Sequence, residues 1–267
     1  MLRPELVKRL VDRWDHPTIV AMALTGSHAR GDAVARSDVD LWRFARDLQE
    51  KQLAVEVHDD HLISITTTTI EACRRELLLP AKAIWAVTGL RQARVLVDRG
   101  GVLQGLIQQA RDFRWEQLED SARAYASRTL AELAEEAQKV MSGLSRGDHG
   151  RAAYGTLGLF LGLTEVMAVS KGVLIETENS YFEQVQDAVG ICSPWTLQHR
   201  LAGGLRETPG QTVESRGLAA LALYLLTADQ MSPASPEDAR VIAWVRDSIR
   251  AFLGAGPGVP CEGTAAR

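Results

Sequence analysis

Residues 24–42, LTGSHARGDAVARSDVDLW, constrain the fold and function of this 267-residue chain more than any other stretch. An apolar, β-branched run at residues 18–24 comes just before them and predicts a buried strand that ends at a Gly26-Ser27 corner. Glycine lets the backbone approach a ligand closely, and a helix that begins at the corner would present free N–H groups to an anion. The corner is therefore a candidate phosphate-binding turn.

Two aspartates, Asp38 and Asp40, begin the next predicted strand. Because strand side chains alternate, both carboxylates point to the same face. Such carboxylates repel each other unless a cation lies between them, and oxygen ligands at this spacing suit Mg²⁺. A bare pair of aspartates is also typical of a strand with one solvent-exposed face, so the motif gains its specificity from the corner before it.

Together, the Gly-Ser corner, Arg30-Gly31, Ser37 and the Asp-Val-Asp string resemble the signature of the DNA polymerase β-like nucleotidyltransferase superfamily, in its small-molecule branch. The resemblance implies transfer of NMP from Mg²⁺–NTP, with ATP as the expected donor, to a hydroxyl, and release of pyrophosphate. It implies metal ligation by Asp38 and Asp40. The residues expected to bind the nucleotide are Gly26, Ser27, Arg30 and Ser37.

Members of this superfamily take a third carboxylate from a neighbouring strand, and the candidate is Glu56 in Leu-Ala-Val-Glu-Val. This string resembles the corresponding strand of the kanamycin nucleotidyltransferase family, which implies that Glu56 is the third metal ligand. Asp59 and Asp60 compete for the role, although turn chemistry explains them adequately. The strand expected at residues 62–69 has no acid. If that strand lies beside the aspartates, the third ligand is displaced or missing.

A second group of charged residues lies in Leu-Ala-Glu-Leu-Ala-Glu-Glu-Ala-Gln-Lys, where Glu132, Glu135 and Lys139 share one face of a predicted helix. The simplest interpretation is an exposed ion pair worth about 0.3–0.5 kcal/mol. The Glu-Leu-x-Glu-x-x-x-Lys spacing also resembles the first helix after the catalytic domain of the kanamycin nucleotidyltransferase family. That resemblance implies that Glu135 deprotonates the acceptor hydroxyl and that Lys139 binds the nucleotide. Glu136 is a one-residue alternative to Glu135.

The order of the elements predicts an α+β fold: an N-terminal mixed β-sheet nucleotidyltransferase domain with flanking helices, followed by an all-helical bundle. The expected domains are residues 1–112, residues 113–253 and a disordered tail at 254–267. Strands are predicted at 18–24, 39–44, 52–57, 62–69 and 93–97. Helices are predicted at 4–14, 70–79, 102–111, 115–145, 150–171, 180–190, 194–203, 213–230 and 236–253.

Composition excludes several classes of function. The formal net charge of −4 provides no basic field for long nucleic acid. The three cysteines lie far apart, which argues against a zinc site and a disulfide framework. Because no leader pattern or membrane-length apolar run is present, we expect a cytoplasmic protein with no membrane partner.

The first functional hypothesis is a nucleotidyltransferase acting on a small-molecule hydroxyl, with an aminoglycoside as a candidate acceptor and antibiotic resistance as the biological role. The second is a nucleotide-binding regulatory or antitoxin-type module without acceptor chemistry, and a third is modification of a protein hydroxyl. The family resemblance also implies a homodimer. Three acids after the long apolar helix either line an acidic pocket or stand around an Asn179 or Ser180 helix cap: Glu176, Glu178 and Glu183.

Overall fold

The computed structural model describes residues 2–205 and 210–255, and contacts divide the chain into two compact units. The first unit runs to Leu118 and also contains Leu174–Ser180. The second contains Glu119–Val173 and the described residues from Tyr181 onward. Of the predicted tail at 254–267, residues 254 and 255 belong to the last helix, and the remainder lies outside the described residues.

A five-stranded mixed sheet forms the centre of the first unit, with strand order β3-β4-β2-β1-β5. Strands β2 and β4 run parallel, and every other neighbouring pair is antiparallel. The strands are β1 (Ile19–Thr25), β2 (Val39–Ala45), β3 (Gln52–His58), β4 (His61–Thr68) and β5 (Arg94–Asp98). The sheet, followed by a helical second unit, confirms the predicted α+β class.

Helices cover both faces of the sheet, because the strands alternate between two apolar surfaces. Helix α1 (Pro4–Trp14) buries Leu6, Leu10 and Trp14, spaced four residues apart, against one face. The opposite face is covered by the helices α3 (Ile70–Glu76), α4 (Pro80–Gln92) and α5 (Val102–Asp112). The short helix α2 (Gly26–Arg30) occupies the corner after β1.

Helix α4 was not predicted from the sequence. The helix predicted at 70–79 ends at Glu76, and Pro80, which follows the predicted range, begins α4. Proline suits the first turn of a helix, because the N–H that it lacks would have no partner there. The helix buries Ala83, Val87 and Leu90 in the core of the first unit.

The second unit is entirely helical within the part of the chain that the structure describes. Its helices are α6 (Glu119–Glu132), α7 (Ala134–Arg146), α8 (His149–Lys171), α9 (Tyr181–Val189), α10 (Pro194–Gly203), α11 (Val213–Asp229) and α12 (Pro236–Ala255). Helix α8, with a mean hydropathy of 1.5, is the one helix among the described residues that is long and apolar enough to cross a membrane. Because 61% of the apolar stretch of α8 is buried inside the fold, the helix is packed as a core helix.

The single helix predicted at residues 115–145 is wrong. A 3₁₀ turn at Trp115–Leu118 precedes α6. The helix is then interrupted at Leu133, and α7 begins at the next residue. Glu132 and Glu135 therefore lie on different helices. Helix α7 packs closely on α8, where a Cβ on Gly158 would lie 2.8 Å from the Glu136 carboxylate.

A buried histidine, His199, lies in the core of the second unit, stacked on Trp195 with ring centroids 4.7 Å apart. Its Nδ1 accepts a hydrogen bond from the Gln186 amide at 3.0 Å, and its Nε2 lies 2.8 Å from the Thr164 hydroxyl. That hydroxyl donates to the Phe160 carbonyl, so the neutral imidazole donates from Nε2. Burial lowers the pKa of His199 to about 4.

Candidate functional site

The Gly-Ser corner brings the backbone against Asp40. Gly26 has a φ of +62°, and a Cβ built on it would lie only 2.0 Å from Oδ2 of Asp40. Only glycine satisfies both conditions, because other residues rarely adopt this φ and would displace the carboxylate. In the sheet, Thr25 of β1 pairs with Asp40 of β2, which fixes the aspartate beside the corner.

The loop between α2 and β2 is closed by its own polar groups. The backbone N–H of Val34 donates to the Ser37 hydroxyl at 2.9 Å, and the Ser37 N–H donates back to the Val34 carbonyl at 3.0 Å. The Arg30 guanidinium donates to Asp32 at 3.0 Å and is only 18% exposed. Ser37 thus organises the loop that leads into Asp38.

A cavity of about 510 Å³ lies beside this corner, and every residue that lines it belongs to the first unit. The lining contains all of the predicted N-terminal site residues except Glu56: Gly26, Ser27, Arg30, Ser37, Asp38 and Asp40. One further wall comes from α4 and Trp42 of β2. The lining residues on α4 are Trp85, Thr88, Gly89 and Gln92.

The last wall of the cavity is the segment Ile175–Asn179, which follows α8 in the sequence. Its attachment to α4 is specific: the Ile175 N–H donates to the Ile84 carbonyl at 2.7 Å, and the Thr88 hydroxyl donates to the Ile175 carbonyl. Glu176 and Glu178 both line the cavity, whereas Glu183 lies on α9 in the second unit. Glu176 and Glu178 therefore lie where the acidic-pocket interpretation expects them.

The electrostatics of the cavity centre on Asp40. Its pKa is raised to about 6, first by burial and then by the negative charges of Asp38 and Glu178, while Arg30 lowers it. Four carboxylates line the cavity against two guanidiniums, those of Arg30 and Arg36. The site is therefore one in which an added cation would relieve repulsion.

The donor set around Asp38 and Asp40 fits Mg²⁺. Both carboxylates line the cavity, and Gly26 packs directly against one of them. Within residues 2–205 and 210–255, no group of three His, Cys, Asp or Glu side chains is arranged to hold a metal ion. Two carboxylates suffice for Mg²⁺ where substrate phosphates and water complete its coordination.

The prediction that Glu56 is the third metal ligand is wrong. Strand β4 lies between β3 and β2, and its Ser64 stands beside Asp40, whereas Glu56 is in register with Ile63 and Val39. Cross-strand partners share a face, so Glu56 projects from the face opposite to Asp40. There its carboxylate accepts a hydrogen bond from Arg13 of α1 at 2.8 Å. The acid-free strand β4 is the strand beside the aspartates, which is the arrangement in which a third ligand is displaced or missing.

Glu135 and Lys139 belong to the second unit. Lys139 pairs with Glu135 at 3.0 Å and with Glu136 at 2.8 Å, and its ammonium lies 5.1 Å from the centre of the Tyr154 ring. The Glu135 side chain is 77% exposed, whereas that of Glu136 is 19% exposed. Of the two acids, only Glu135 is freely accessible to solvent.

Comparison with known proteins supports the fold. The crystal structure of a nucleotidyltransferase-like protein from Exiguobacterium sibiricum 255-15 is similar with a TM-score of 0.54, at 15% sequence identity. The similarity covers 94% of this chain and 89% of that chain. No protein-family model matches the sequence, and no curated protein matches it. At this identity the likeness establishes a nucleotidyltransferase-like fold.

Proposed function

We propose that the protein is a Mg²⁺-dependent nucleotidyltransferase that transfers NMP, with ATP as the expected donor, to a hydroxyl of a small molecule. The observation that carries the proposal is the cavity in which Asp38, Asp40 and the Gly26 corner meet on a sheet of nucleotidyltransferase-like fold. In the reaction, the acceptor oxygen bonds to the α-phosphorus, the bond to the leaving pyrophosphate breaks, and the hydroxyl proton passes to a base.

Asp38 and Asp40 would hold Mg²⁺, which supplies charge neutralisation and polarises the α-phosphoryl group when bound. Gly26 and Ser27 offer backbone and hydroxyl groups to the phosphates, and Arg30 adds a positive charge on the same side of the cavity. Ser37 holds the loop that positions the first aspartate. Positioning and charge neutralisation account for most of phosphoryl transfer, so the chain needs few other groups.

The base and a further phosphate ligand are proposed from the second unit. By resemblance to the kanamycin nucleotidyltransferase family, Glu135 would accept the proton of the acceptor hydroxyl and Lys139 would contact the nucleotide. The exposed carboxylate of Glu135 is consistent with the role, since a base must reach its substrate. Lys139 must exchange its ion pairs with Glu135 and Glu136 for phosphate contacts.

The acceptor is proposed to carry positive charge. With Mg²⁺ on Asp38 and Asp40 and with Arg30 assigned to the phosphates, Glu178 supplies negative charge to the same cavity, which Trp85 also lines. A carboxylate and an aromatic residue in one cavity suit an amine-bearing, sugar-like molecule, and aminoglycosides belong to this class.

The direct test is incubation of the protein with Mg²⁺, ATP labelled at the α-phosphate and a panel of aminoglycosides. We expect label on an acceptor and release of pyrophosphate. The D38N/D40N double variant serves as the inactive control, and E56Q serves as the matched active control, because Glu56 lies on the other face of the sheet. Absence of both transfer and Mg²⁺–ATP binding would contradict the proposal.

A second candidate, a nucleotide-binding regulatory or antitoxin-type module, is favoured by one observation. Ser64 occupies the strand position beside Asp40, so the neighbouring strand offers no carboxylate there. Such a module would bind Mg²⁺–ATP without transferring it, so the transfer assay on the wild type separates the two candidates, and E135Q then tests the base. An enzyme that uses Glu135 as its base loses transfer but keeps nucleotide binding. Turnover that is unaffected by E135Q would show that the base is another group.

A further inference from the structure

The edge strand β3 is unusually open. It pairs with β4 along its full length, from Gln52 opposite Thr67 to His58 opposite His61, and its other edge is the margin of the sheet. The side chains that point to one face of β3 are exposed: Leu53 by 71%, Val55 by 58% and Val57 by 74%. Ala54, on the opposite face, is exposed as well. The strand therefore presents both unpaired backbone groups and apolar side chains to solvent.

Soluble proteins normally protect such an edge. The usual devices are proline or lysine within the strand, a β-bulge, or a covering element. None of these devices is found in Gln52–His58: the sequence is Gln-Leu-Ala-Val-Glu-Val-His, and its pairing with β4 is regular throughout. The charged side chain in the strand, Glu56, is turned toward α1 and held by Arg13. The edge thus has the character of a strand that pairs with another strand.

The sequence of β3 is complementary to itself in one register. We propose that two copies of the chain associate by antiparallel pairing of their β3 strands about a two-fold axis at Val55. In this register Val55 faces the partner's Val55, and Leu53 faces the partner's Val57, so the large exposed apolar side chains meet one another, while Ala54 on the other face lies opposite the partner's Glu56. Just beyond the strand ends, Lys51 lies toward the partner's Asp59, and each of these side chains also has an ion pair within its own chain, with Glu76 and with Arg9.

Neighbouring registers fit less well. A two-fold axis at Ala54 places Val57 opposite the partner's Lys51, and an axis at Glu56 places Leu53 opposite the partner's Asp59. Each alternative sets a large exposed apolar side chain against a charged one, whereas in the proposed register only the small Ala54 lies opposite a charged residue, Glu56, whose carboxylate is held by Arg13. The proposed register joins the two five-stranded sheets into one continuous ten-stranded sheet, with an isologous interface.

Cysteine cross-linking tests the register directly. In a background with Cys192 and Cys261 replaced by serine, we expect V55C to form a covalent dimer with a mild oxidant such as diamide, because position 55 faces its own copy. V57C alone is the matched control: it lies about 13 Å from the partner's position 57, beyond the reach of a disulfide. A mixture of L53C and V57C should again cross-link.

Sedimentation velocity tests the association without cysteines. A single strand pair buries less than the about 1,200 Å² of a standard interface, so we expect a dimer that dissociates on dilution over roughly the micromolar range. V55K should be monomeric, whereas L78K, at a residue of the first unit that is 64% exposed, should dimerise like the wild type. A wild type that stays monomeric at high concentration, or a dimer that survives V55K without V55C cross-linking, would overturn the proposal.

Discussion

The cavity of the first unit and the core of the second each contain a titratable side chain whose pKa is displaced by burial. One of them is repelled by its neighbours, whereas the other has all of its hydrogen bonds made. Asp40 faces the like charges of Asp38 and Glu178 across a cavity, and its pKa rises to about 6. His199 is more deeply buried, yet each ring nitrogen has a hydrogen-bond partner and the ring is stacked on Trp195. A displaced pKa therefore indicates a functional site only where the neighbours leave the group repelled rather than satisfied.

The largest expected difference concerns ligand-induced stability. At a hundred times its dissociation constant, Mg²⁺–ATP should stabilise the wild type by about 2.7 kcal/mol. D38N/D40N should show none of this gain, while its ligand-free stability should be equal or slightly higher, because a charge repulsion has been removed. Melting curves with and without ligand measure both. An equal shift in the double variant would place the nucleotide away from β2.

Replacing the satisfied histidine should cost stability without touching the ligand. H199F retains the aromatic ring but leaves the Gln186 amide and the Thr164 hydroxyl without their ring partners, so we expect a loss of about 2 kcal/mol in urea unfolding. The Mg²⁺–ATP shift should persist. H149Q, at a histidine whose side chain is 61% exposed, is the control and should change stability by less than about 0.5 kcal/mol.

The two groups should also respond to pH with opposite signs. The folded protein holds His199 neutral, whereas the unfolded chain protonates it below about 6.5. Its contribution is therefore present above that pH and is lost toward about 4, with a slope of at most about 1.4 kcal/mol per pH unit. The raised pKa of Asp40 gives a contribution that is full below 3.8 and lost as the pH rises through about 6. Unfolding curves of wild type, H199F and D40N between pH 4 and 7 separate them; parallel curves would contradict both assignments.

The smallest expected effect comes from the corner glycine. G26A and G31A both place a side chain at positive φ, but only at Gly26 would the new Cβ meet Asp40. We expect G26A to cost about 1 kcal/mol more than G31A. Equal losses would mean that the aspartate moves aside freely and that the corner does not position it.

Much of the first unit could be predicted from the sequence, because strand alternation and the Gly-Ser and Asp-Val-Asp strings are local signals. Glu56 was assigned to the wrong face, since alternation separates two faces but does not tell which one a distant strand shares. That choice depended on β4, which inserts between β3 and β2. Helix α4 was missed because Pro80 is compatible with both a helix end and a helix start.

The wall supplied by Ile175–Asn179 depended on contacts that no local pattern contains. The hydrogen bonds of Ile175 join it to residues about ninety positions earlier in the chain, on α4. Sequence reasoning found Glu176 and Glu178 as candidate acids but had no means of deciding between a pocket and a helix cap. The tertiary attachment of the segment decided their position.

The same attachment affects how the protein is made. During synthesis the ribosome completes residues 1–118 first, but the segment Leu174–Ser180 that finishes the first unit emerges only after residues 119–173 have been translated. At about 5–20 residues per second, translation of residues 119–173 takes about 3–11 s, and during this time the cavity lacks the wall formed by Ile175–Asn179. A gene fragment that stops at residue 118 therefore encodes the first unit without the cavity wall that Ile175–Asn179 supplies.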